Sequence, residues 1–139
     1  MRKLFSTLTI LCTILILSAC QTETMVLLDE EIAQIHIAES NGAGDMNAEE
    51  ILLTIDDKEL IATFKNAITT AVKQSSTPEQ STPDYDVMVE YVDGLPTHAI
   101  HLWLGEEGEE SKMTYFTNDA VYYTSPKMTN ELREMLLSQ

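Results

Sequence analysis

The sequence predicts an α+β fold: an antiparallel sheet of about six strands with two helices packed on one face, in the order β-β-α-β-β-β-β-α. Three observations lead there. Residues 85–91 alternate, with Tyr85, Val87, Val89 and Tyr91 set against Asp86, Met88 and Glu90, which is the period of a half-buried strand. Asp93-Gly94 follows at once and marks a hairpin. Two other stretches carry apolar residues at helical spacing behind a capping residue. Covering one sheet face with those helices buries both apolar stripes.

Taken in order, Ile32, Ile35 and Ile37 suggest a first strand near residues 31–38. Ser40 to Asp45 is a glycine-rich loop, and Glu50 to Ile55 reads as a second strand. Asp56 opens the first helix, with Glu59 three residues on as in a capping box. Leu60, Phe64, Ile68 and Val72 form its stripe, carrying the helix to about Lys73. Gln74 to Pro83 is a Ser/Thr/Pro-rich loop. Thr97 to Leu104 pairs with the strand at Tyr85. Lys112 to Thr117 and Ala120 to Thr124 form a second hairpin around Asn118-Asp119. Ser125-Pro126 then caps and opens the closing helix, whose apolar face is Met128, Leu132, Met135 and Leu136.

The amino terminus indicates location. Arg2 and Lys3 precede an uncharged run from Leu4 to Leu17, which ends in Leu17-Ser18-Ala19-Cys20. The run is shorter than the roughly 20 apolar residues a membrane-spanning helix needs. The closing tetrapeptide resembles the lipobox of bacterial lipoproteins. That resemblance implies cleavage before Cys20, covalent lipid on Cys20, and residence on the outer face of the cytoplasmic membrane. The expected organisation is a signal peptide over 1–19, a lipid-anchored tether over 20–30, and one domain over 31–139. Cys12 leaves with the leader, so no disulfide and no free thiol nucleophile remain.

Loss of the leader removes Arg2 and Lys3 and takes the formal charge from −15 to −17. Such a domain is unsuited to nucleic acid, because binding phosphates requires Lys and Arg to displace counterions. It should also be repelled by an anionic lipid surface.

Residues 56–136 resemble the YhfM-like family of small Bacillus-type lipoproteins. The matching pieces are the capped helix with Phe64, Pro83-Asp84-Tyr85, His101-Leu102-Trp103-Leu104-Gly105, and the Ser125-led last helix. The resemblance supports a domain boundary and supplies no catalytic residue.

Two candidate sites emerge. Glu106, Glu107, Glu109 and Glu110 around Gly108 offer oxygen ligands to Ca²⁺, although the spacing is not that of an EF-hand. Tyr85, Tyr91, Trp103 and Tyr115 share one sheet face in one register and would make an aromatic binding surface if the helices cover the other face. His98 and His101 lie three apart on a strand and point to opposite faces, so one ion cannot easily take both. No catalytic fingerprint occurs. The expected function is a non-enzymatic, lipid-anchored extracytoplasmic binding module for an envelope protein or peptide, with no cofactor beyond the lipid. The alternative is a divalent-cation or small-ligand binder using the turn 106–110.

Overall fold

The computed structural model describes residues 22–75 and 81–138; the expected leader and Cys20 lie outside the described residues. The elements are β1 (Ile32–Glu39), β2 (Ile51–Ile55), α1 (Lys58–Thr69), β3 (Val72–Gln74), β4 (Tyr85–Tyr91), β5 (His98–Trp103), β6 (Ser111–Tyr115), β7 (Val121–Thr124) and α2 (Pro126–Leu137). The strands form one antiparallel sheet in the order β2-β1-β4-β5-β6-β7-β3. The expected α+β class holds, with seven strands among the described residues.

The additional strand is β3. Val72 continues the spacing-four stripe of Phe64 and Ile68, so periodicity alone carries the helix too far. The helix instead stops at Thr69, where the backbone N–H of Thr70 turns back to the Asn66 carbonyl and that of Ala71 to the Ile68 carbonyl. Val72 then pairs with Tyr123 on β7, a tertiary partner that no local signal reveals.

Register sorts the two faces. Ile35 lies opposite Val89, Val87 opposite Ile100, and Leu102 opposite Met113. These side chains share a core with Phe64, Ala67 and Ile68 of α1 and Met128, Leu132 and Met135 of α2. Both helices therefore cover this face.

The start of α1 corrects one detail. Asp57, not Asp56, is the N-cap, and its Oδ1 accepts from the amides of Glu59 (2.9 Å) and Leu60 (3.1 Å). Asp57→Ala should cost about 1 kcal/mol in a urea titration, whereas Asp56→Ala should shift the midpoint little. Ser125 caps α2 as expected, accepting from the Met128 amide with Pro126 in the first turn.

Residues 23–28, which fall in the expected tether over 20–30, are part of the fold. Thr24 bridges to Val72, the Met25 amide donates to the Ala71 carbonyl at 3.0 Å, and Lys73 pairs with Glu23 at 2.8 Å. Met25 and Leu27 are buried in the core. The Tyr115 hydroxyl donates to the Val26 carbonyl at 2.7 Å, and the Tyr91 hydroxyl accepts from the Leu28 amide at 3.1 Å.

These contacts carry a pH signature. The Tyr91 hydroxyl also meets Nδ1 of His98 at 2.8 Å. Burial lowers His98 below its ordinary 6.5 and raises Tyr91 and Tyr115 above their ordinary 10.0. Folding thus favours the neutral form of all three. The His98 contribution is complete above pH 6.5 and is lost as pH falls through its lowered value. The tyrosine contributions are complete below pH 10.0 and are lost as pH rises through their raised values. The urea midpoint should fall on both sides of that plateau, and His98→Gln should flatten the acid limb.

Candidate functional site

The most unusual chemistry lies on the sheet face away from the helices. Asp86 of β4 stands opposite His101 of β5, which stands opposite Thr114 of β6. Trp103 of β5 stands opposite Lys112. Asp86, His101, Lys112 and Thr114 are all buried, with Asp86 at 0% exposure and His101 at 2%.

The cover over Asp86 is the loop between β1 and β2. Asn47 is buried, and its backbone amide donates to Oδ2 of Asp86 at 2.8 Å. Its side-chain amide donates to the Glu39 carbonyl at 3.0 Å, and its Oδ1 accepts from the amides of Glu49 and Glu50. Asn47 thus pins the loop onto the strand that carries Asp86.

The other carboxylate oxygen, Oδ1, lies 2.8 Å from Nδ1 of His101. A carboxylate only accepts, so Nδ1 carries the proton in this bond. In the neutral ring that leaves a lone pair on Nε2, which is buried and has no hydrogen-bond partner. An unsatisfied buried acceptor is costly, so its occurrence calls for an explanation. The ring is wedged edge-on against Phe116 and Trp103, at centroid distances of 5.7 and 6.2 Å. The Lys112 ammonium lies 3.8 Å from the Trp103 ring centroid. His101 lines a cavity of about 80 Å³ together with Ala43, Trp103, Lys112, Thr114, Phe116 and the Asn118-Asp119 turn. At about 30 Å³ per water, that is room for two or three waters or one small functional group.

The sequence-predicted sites fare differently. Tyr85 lies opposite Leu102 and Tyr115 opposite Ile100, so both belong to the helix-covered face at the margin of the core, and Tyr91 is buried within that core. Trp103 is out of phase with them and lies on the other face. The expected shared aromatic surface is therefore corrected: its one member away from the helices is Trp103.

Glu106, Glu107, Glu109 and Glu110 are exposed on a turn fastened to α2. Arg133 donates to the Gly105 carbonyl at 2.9 Å and pairs with Glu106 at 3.4 Å. The Gly108 amide donates to Asn130 at 2.9 Å. Among the described residues no group of three or more His, Cys, Asp or Glu is placed to hold a metal ion. The turn also explains the glycine of Trp103-Leu104-Gly105, since a Cβ on Gly105 would lie 2.3 Å from the Glu110 carbonyl oxygen. His98 and His101 do face opposite ways, across from Val89 and Asp86 respectively.

No curated protein matches the chain in sequence. A crystal structure described as a thioesterase-like protein from Clostridium sporogenes ATCC 15579 superposes with a TM-score of 0.56 at 17% identity. The match covers 78% of this chain and 96% of that one, and at this identity it shows a shared fold alone. It nonetheless corrects the expectation of a non-enzymatic protein, because the architecture is also that of a chain described as thioesterase-like. In sequence, the YhfM protein family matches residues 29–139, a wider span than the 56–136 expected. This chain belongs to the YhfM family.

Proposed function

We propose that this protein is an extracytoplasmic lipoprotein, anchored through Cys20, that binds a ligand at the His101 pocket. The observation that carries the site is the buried, unpartnered Nε2 of His101, held in orientation by Asp86. A lone-pair acceptor between aromatic walls fits a ligand that presents a hydroxyl or N–H on a flat apolar body. Phenol and anisole differ at that one group and are the probes of choice. Phenol should shift the His101 ring signals and the Trp103 indole N–H signal in NMR, and anisole should not. Equal responses, or none, would reject the site. For the anchor, Cys20→Ala should abolish labelling by fatty acid and release the protein from the membrane fraction.

One feature favours a second reading, in which the same pair performs hydrolysis. A carboxylate that fixes the Nδ1 proton leaves Nε2 to act as general base. The base would take a proton from water as the water oxygen attacks an ester or thioester carbonyl. The proton then passes to the departing alcohol or thiol, and a carboxylic acid remains. The structural neighbour described as thioesterase-like makes acyl thioesters the first substrates to assay. Turnover lost in both Asp86→Asn and His101→Gln would support hydrolysis; no turnover by the wild-type chain would dismiss it.

A further inference from the structure

At the opposite end of the sheet, β2 is an edge strand, paired only with β1. Beside it, between the start of α1 and the end of α2, lies a groove of about 490 Å³. Its apolar floor includes Leu53, Ile55, Leu60 and Met135. Leu60 is 43% exposed although it belongs to the apolar stripe of α1, and Leu52 on β2 is 59% exposed. The rim holds four carboxylates, Asp56, Asp57, Glu131 and Glu134, and no lysine or arginine lines the groove. Lys127 reaches Glu131 at 3.6 Å from one helical turn away.

We propose that this groove docks an extended, basic segment of another protein, added as a strand along the free edge of β2. The edge offers main-chain hydrogen bonds to such a strand. Alternate residues of an extended chain point the same way about 7 Å apart. Apolar side chains at that spacing would enter the groove, and Lys or Arg residues on the same face, to either side of them, would meet the rim. Charge decides among occupants. A second copy would bring the same four carboxylates against these, and an anionic bilayer would be repelled in the same way. A basic partner satisfies both the apolar floor and the acidic rim.

The test uses the full chain in neutral detergent and fluorescence anisotropy of labelled heptapeptides. Lys-Thr-Val-Thr-Val-Thr-Lys, whose Lys and Val residues share one face of an extended chain, should bind, more weakly as salt is raised. The Glu counterpart should not bind. Glu131→Lys combined with Glu134→Lys should weaken the basic peptide at least tenfold and admit the acidic one, with helicity unchanged by circular dichroism. A central proline in the basic peptide should abolish binding if a strand is added to β2. Failure of the wild-type chain to bind, indifference to the charge reversal, or indifference to the proline would each overturn the proposal.

Discussion

Asp86→Ala should be among the most destabilising single substitutions in this protein, lowering the unfolding free energy by roughly 3–5 kcal/mol. The carboxylate is fully buried and holds two donors at 2.8 Å, the Asn47 amide and Nδ1 of His101. Removing it leaves both without their acceptor at a buried position. Leaving buried donors unmade costs more than the original bonds contributed. The loop from Ser40 to Glu50 loses its attachment to β4, so its amides should exchange faster than in the wild type. The complementary result distinguishes a structural pair from one retained for chemistry. Asp86→Leu combined with His101→Phe replaces the ion pair by apolar groups of similar bulk, and its stability should recover most of the loss, short of the wild type by about 1–3 kcal/mol for the Asn47 amide that stays unmade. It should also lose the phenol response. Full stability with an intact phenol response in the double variant would remove His101 from the site.

Met25→Ala should cost about 2–5 kcal/mol in urea unfolding. Met25 is 1% exposed and sits in the same core as Phe64 and Ile35. Its neighbour Val26 is 69% exposed, so Val26→Ala should stay within about 0.5 kcal/mol of the wild type. The contrast between adjacent residues checks that this segment is seated in the fold. Equal, small effects at both positions would return it to the status of a loose tether.

Much of the architecture was readable because the signals were local. Alternation at β4, the Asp93-Gly94 turn and the Ser125-Pro126 cap each depend on neighbours in sequence. Val72 reads as helical because a spacing-four apolar residue is compatible with a helix, while its partner lies on β7. Met25 to Leu28 is an apolar stretch in the sequence, yet nothing nearby shows that Tyr91 and Tyr115 receive it. The Asp86–His101 pair does carry a signal in the sequence. Counting outward from Asp93-Gly94 with equal steps sets Asp86 opposite His101, as the register shows. The same count sets Trp103 against Asp84, out of phase with Tyr85, and would have separated Trp103 from the tyrosines. The burial of the pair was not readable, because it depends on a loop from β1 folding across the sheet.

The seated segment at residues 23–28 has a geometric consequence. Cys20 and Glu23 are three residues apart, so a lipid on Cys20 would be at most roughly 10 Å of extended chain from a fixed point on the domain. A protein held so closely does not sweep a wide volume. Anchored as proposed, it would work in a layer about one domain diameter deep, roughly 30 Å, with β3, to which Glu23 is joined through Lys73, nearest the anchor. Ligands that reach either site would be those released at, or attached to, the membrane itself. There the short leash would convert a dilute three-dimensional encounter into a surface one at high effective concentration. Lengthening the leash by inserting a flexible linker between Thr22 and Glu23 would test that dependence directly, by relaxing height and tilt while leaving the folded domain unchanged.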